Sequence, residues 1–124
     1  MKYLLDTQVL VQAFLGTLPP GIQEKLSNPA DERILCTISL VEIAIKTSSG
    51  KLDLNADEAL RAVDDLRISL LPLEPQHAFE MFSLPQHHRD PFDRVILATA
   101  LAEKLPVVTG DRVFHRYPGI KVIW

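Results

Sequence analysis

In HRDPFDRVILATALAEKLPVVTGD, residues 88–111, a charged lead-in gives way to the most apolar helix of the chain, Phe92 to Leu105, and then to a short strand, Val107-Val108-Thr109. Asp90 suits an N-cap and Pro91 the first helical position, while Gly110-Asp111 turns the chain. A helix with almost no polar face is a buried helix. Followed at once by an apolar strand, it reads as one unit of a parallel sheet with both faces covered.

The pattern repeats outward. Tyr3-Leu4-Leu5 is an apolar run ended by Asp6, and Val9, Leu10, Ala13 and Phe14 follow at helical spacing from Thr7 to Leu15. Pro19-Pro20-Gly21 interrupts, with a short helix expected through Leu26 and a strand from Ile34 to Ile38. Ser39 opens a helix that stops near Ser49 and Gly50. Asn55, Asp57 and Glu58 start an amphipathic helix carrying Leu60, Val63 and Leu66, followed by a strand from Ser69 to Leu73. Pro75 begins a helix with Ala78, Phe79 and Phe82 on one side. Leu84 to Pro91 is a polar loop, Arg112 to Tyr117 holds a helical turn, and Lys121 to Ile123 supplies a last strand. The expected fold is a single α/β domain over residues 1–124, three-layered, with a parallel sheet of four or five strands flanked by helices.

With 124 residues, 47% hydrophobic and 23% charged, the composition excludes disordered, collagen-like and coiled-coil classes. No apolar run approaches the roughly 18 residues that cross a bilayer, and MKYLLD meets a carboxylate too early for a secretory signal. Cys36, the single cysteine, lies in the apolar ILCTI and fits a core position in a reducing compartment. A soluble, cytoplasmic protein is expected. The net charge of −3 argues against non-specific nucleic-acid binding, so an anionic partner needs local basic groups or bound cations.

Ligands bind at the carboxyl edge of a parallel sheet. Four acids map there: Asp6 after the first strand, Glu42 in the first turn of the helix after the second, Asp93 in the first turn of the last long helix, and Asp111 after the fourth strand. Each has an alternative role. Asp6 fits a helix cap, Ser39 with Glu42 a capping box, Asp90 and Asp93 a capped and dipole-favoured helix start, and Asp111 a turn. Together, at the buried junction of central elements, four carboxylates repel one another unless a cation neutralises them, and oxygen-only ligands suit Mg²⁺ or Mn²⁺.

These residues resemble a PIN domain, and closely a VapC-type toxin ribonuclease of a toxin–antitoxin pair. The likeness rests on LLDTQVL at Leu4 to Leu10, SLVEIAIK at Ser39 to Lys46 with GKL at Gly50 to Leu52, HRDPFDRVILATA at His88 to Ala100, and VVTGD at Val107 to Asp111. The resemblance implies a Rossmann-like five-stranded sheet and endonucleolytic cleavage of RNA dependent on Mg²⁺ or Mn²⁺. It places the metal and the chemistry on Asp6, Glu42, Asp93 and Asp111, with Thr7, Ser39, Asp90 and Thr109 supporting them. It also implies a VapB-type antitoxin as partner, and a homodimer. RNA contacts are expected from Arg94, Arg112, Lys46 and Arg89, with Arg116 as a further candidate. His87 and His88, in the loop before Asp90, either meet phosphate or are bystanders. Phe14 and Phe82 are expected in the core, or else in an apolar groove.

Other nucleophile and phosphate-loop motifs are missing: no elbow serine, no GxxxxGK, no GxGxxG after a strand. A receiver-type phosphoacceptor domain wants paired acids after the first strand and an aspartate after the third, where this chain has a lone Asp6 and Leu73-Glu74-Pro75. A haloacid-dehalogenase-like phosphatase wants a second aspartate where Gln8 stands. The remaining alternative is a non-catalytic PIN-like module that binds protein or RNA and keeps its acids as caps.

Overall fold

The computed structural model describes residues 1–124. Five parallel strands, β1 (Lys2–Leu5), β2 (Glu32–Cys36), β3 (Ile68–Leu71), β4 (Val107–Val108) and β5 (Val122–Ile123), lie in the order β3-β2-β1-β4-β5. Parallel neighbours need crossovers, and six helices supply them or extend them: α1 (Thr7–Leu15), α2 (Pro20–Leu26), α3 (Ile38–Ser48), α4 (Ala56–Asp65), α5 (Pro75–Glu80) and α6 (Pro91–Glu103). Short 3₁₀ turns follow α5 at Met81–Ser83 and β4 at Arg112–Arg116. The three-layer α/β expectation holds, with five strands.

Alternation along each strand sorts side chains into two cores. Tyr3, Leu5, Leu35 and Val108 point to one face, where α1, α2 and α4 bring Val9, Leu10, Ile22, Leu26 and Val63. Leu4, Ile34, Cys36 and Val107 point to the other, against Ile96, Leu97 and Ala100 of α6 and Phe114 and Tyr117 beyond β4. Each fully buried side chain of this size contributes about 1.5–3 kcal/mol, which is why the short strands β1 and β4 can anchor the sheet.

Several expectations move. β2 begins two residues early and ends at Cys36, so Ser39 lies inside α3 rather than before it, and Glu42 sits one turn in. The Ser39–Glu42 capping box does not form; the N-cap position is Thr37, without a side-chain cap. The Asn55–Glu58 pair, by contrast, is a full capping box. The buried stripe of α4 is Ala59, Ala62 and Val63, while Leu60 is exposed. In α3 the solvent side carries Val41 and Ile45, so that helix is not buried all round. Phe79 and Phe82 are 69% and 88% exposed and stack on each other, with ring centroids 6.2 Å apart, so the core reading of Phe82 is overturned. Phe14 lies at the surface too. The buried residue of α5 is His77, whose Nδ1 accepts from the Glu74 amide at 3.0 Å and whose Nε2 meets Glu103 at 2.7 Å.

Candidate metal centre

The strand order reverses between β1 and β4, and the residues leaving those two strands face each other there. Asp6 occupies the N-cap position of α1, yet its carboxylate makes no cap bond. It accepts instead from Thr109 Oγ1 at 2.8 Å, across the sheet. The same hydroxyl accepts from the Asp111 amide at 3.0 Å, so one threonine fixes both the Asp6 carboxylate and the backbone that presents Asp111. On the β2 side, buried Thr7 donates to buried Ser39 at 2.8 Å, tying the start of α1 to α3.

Glu42 projects from α3 with its side chain only 4% exposed. Lys46, one turn on, donates to its Oε2 at 2.7 Å, and the hydrogen bond to Glu42 holds the lysine above its ordinary pKa, with help from Asp90 and Asp93. Glu42 Oε1 has no partner, alone among the buried side-chain polar atoms of the molecule. A buried carboxylate oxygen left unpaired is costly and calls for a counter-charge.

At the start of α6, Asp90 is the cap, accepting from the Phe92 and Asp93 amides at 2.9 and 3.4 Å. That frees the Asp93 carboxylate. His88 Nε2 lies 2.9 Å from Asp93 Oδ2 and 3.0 Å from Asp111 Oδ2, and the ligand atoms of these three residues all fall within 4.8 Å of one another. Asp111 serves twice: its other oxygen accepts from the Val113 amide at 3.0 Å. Burial pushes Asp93 up to about 7, followed by repulsion from Asp6 and Asp90. Burial likewise raises Asp6, reinforced by the charges of Glu42 and Asp111. The four acids from separate segments thus act on one another electrostatically. Asp6 and Glu42 stand outside the tight trio but within reach of its field.

An orphaned buried oxygen, two acids raised by burial and then by neighbouring charges, and a cluster rich in carboxylates fit a hard divalent cation. The basic neighbours divide. Arg89 and Arg112 are exposed, and Lys46 is half-exposed beside Glu42. Arg94 is not available: its guanidinium is buried and donates to the carbonyls of Pro85, His88 and Leu84 at 2.9, 3.4 and 3.4 Å. The expected RNA contact at Arg94 is therefore corrected to a clamp on the loop that carries His88. His88 itself is the residue whose place the sequence did not reveal. Its ring nitrogens meet three residues on two segments, Asp90 and Asp93 at the start of α6 and Asp111 after β4, and nothing in the loop's composition marks it.

A family model of the PIN domain matches residues 3–120. The chain belongs to the PIN domain family. In solved structures this PIN domain is similar to VapBC2 from Rickettsia felis bound to a DNA fragment from their promoter, at 19% identity and a TM-score of 0.77, covering 99% of this chain and 98% of that one. It is similar also to DNA-bound VapBC from Salmonella typhimurium, at 24% identity, TM-score 0.74 and 99% and 97% coverage. VapBC-1 from nontypeable Haemophilus influenzae matches at 23% identity, TM-score 0.73 and the same coverage. No curated protein is found similar in sequence. At these identities the likeness is one of fold.

Proposed function

We propose that this PIN domain is a metal-dependent endoribonuclease, the toxin of a VapC-type toxin–antitoxin pair. The observation that carries the reading is the buried Glu42 Oε1 without a partner, together with the Asp6 and Asp93 carboxyls that burial and neighbouring acids hold above their ordinary range, an arrangement that wants a cation. In this reading Asp6, Glu42, Asp93 and Asp111 hold Mg²⁺ or Mn²⁺, which supplies Lewis acidity for hydrolysis of a phosphodiester. Thr109 fixes Asp6, Thr7 and Ser39 brace α1 against α3, and Asp90 frees Asp93 by taking over the cap. Lys46, Arg89 and Arg112 offer positive charge to the RNA backbone. The hydroxyls of Thr7, Ser39 and Thr109 are engaged in hydrogen bonds, so in this reading the nucleophile is water and the products carry 5′-phosphate and 3′-hydroxyl ends.

The test is cleavage of RNA by the purified protein with Mg²⁺ or Mn²⁺ and with EDTA, followed by end-group analysis. Cleavage that requires the metal, leaves 5′-phosphates and is lost in Asp93→Asn is expected; a 2′,3′-cyclic phosphate product overturns the mechanism. A second reading, a non-catalytic binding module, draws on Asp90 and Asp111, which do cap their segments. It predicts RNA or protein binding that Asp93→Asn leaves intact, with no cleavage by either form.

The VapBC matches support a VapB-type antitoxin as partner and, with it, a cytoplasmic setting. Exposed Val41 and Ile45 on α3 and the Phe79–Phe82 pair offer apolar surface for protein contacts, including a homodimer. No helix is long and apolar enough to cross a membrane.

A further inference from the structure

We infer that the imidazole of His88 holds the cation's place in the metal-free protein, donating Nε2–H to Asp111 with the Asp93 carboxylate in contact beside it, and that a divalent cation displaces it rather than recruiting it as a ligand. This rests on the metal-centre reading above. The tautomer decides it. His88 Nδ1 accepts a hydrogen bond from the Asp90 amide at 3.2 Å, so Nδ1 carries no proton and a neutral ring carries its single proton on Nε2. That N–H donates to Asp111 Oδ2 at 3.0 Å, while Asp93 Oδ2 lies 2.9 Å from the same nitrogen. To ligate through Nε2 the ring must move its proton to Nδ1, which then confronts the Asp90 N–H. Donation and ligation are therefore exclusive at this site as it is built.

The ring is held in place by design of the loop. The His88 amide donates to Tyr117 Oη at 2.8 Å, Arg94 grips the His88 carbonyl, and Phe114 meets the ring edge to face with centroids 6.1 Å apart. The backbone is thus anchored independently of the imidazole, so that displacement asks only the side chain to move. While in place, the ring lies against both carboxyl groups at the centre. His88 is a positioning residue that the cation must outcompete.

The sign of one substitution separates the roles. Mn²⁺ titrated into EDTA-stripped wild type and His88→Ala, followed calorimetrically and by the EPR signal of free Mn²⁺, is expected to bind the variant about tenfold tighter. The competing donor is gone, and the acids are left to the cation alone. His88→Gln, which keeps a donor N–H, is expected to return close to wild type. Weaker binding in His88→Ala makes His88 a ligand, and unchanged binding makes it a bystander; either result overturns the inference while leaving the metal centre standing. Absence of Mn²⁺ binding in every form overturns the centre and the inference together. Ring ¹H–¹⁵N NMR of wild type needs no variant: Nε2 stays protonated and its signal shifts when Mg²⁺ is added, whereas loss of the Nε2 proton on loading rejects displacement.

Discussion

Asp93 and Glu42 show how one residue's surroundings convert a carboxylate into a demand for charge. Asp93 holds its proton up to about 7 in the folded protein, against 3.8 for an ordinary aspartate. Between those values the folded state binds more protons than the unfolded state, so this contribution to stability is complete below 3.8 and is lost as the pH rises through 7. In EDTA, Asp93→Asn is expected to melt roughly 3–8 °C higher than wild type at pH 8, the shift of about 1–2 kcal/mol in a domain of this size. The fall in melting temperature between pH 4 and 7 should flatten in the same variant, as differential scanning calorimetry would record. An aspartate that stabilises the fold in its ionised form gives the opposite sign. Arg94→Met probes the buried guanidinium: with three carbonyls left unpaired, urea unfolding is expected to show a loss of about 2–3 kcal/mol. A loss under about 0.5 kcal/mol would mean those carbonyls find other donors.

At the scale of elements, the start of α6 divides labour between two aspartates three residues apart. Asp90 caps the helix and leaves Asp93 to the site. Asp90→Ala is expected to cost about 1 kcal/mol, whereas Asp90→Asn keeps the acceptor and changes stability by a few tenths at most. Equal losses from both substitutions would show that charge rather than capping matters at this position. The turn after β4 is just as constrained, because a Cβ built on Gly110 would lie 2.9 Å from Cε2 and Cζ2 of Trp124. Gly110→Ala is expected to cost about 1–3 kcal/mol by overpacking, and most of that loss should vanish in the Gly110→Ala, Trp124→Leu double variant. Additive losses would place the strain elsewhere.

For the whole molecule, a cation bound at the proposed centre would be linked to folding. Divalent metal at about one hundred times its dissociation constant should stabilise wild type by about 2.7 kcal/mol, read as a raised melting temperature in Mn²⁺ relative to EDTA. The shift should shrink or disappear in Asp93→Asn. Topology makes this coupling global: the acids come from the ends of β1 and β4 and from α3 and α6, so a cation at their meeting point ties both cores and the strand-order switch together.

Element types and their order were readable in the chain, because apolar spacing, proline, glycine and capping residues act over a few neighbours. The runs Tyr3 to Leu5 and Val107-Val108 became strands at the centre of the sheet, and the Asn55–Glu58 capping box formed as its spacing required. The carboxyl-edge positions of Asp6, Glu42, Asp93 and Asp111 followed from strand and helix order alone. Local rules could not say which acids are spent on amides. Asp90 and the box-like Ser39–Glu42 pair look alike as sequence, but β2 ending at Cys36 starts α3 before Ser39 and removes that cap. Nor could they show that Arg94 turns inward, that Phe82 turns outward, or that His88 reaches between two carboxylates. Those facts depend on which segments pack against one another at long range, and a side chain's partners across the sheet leave no trace in its neighbours along the chain.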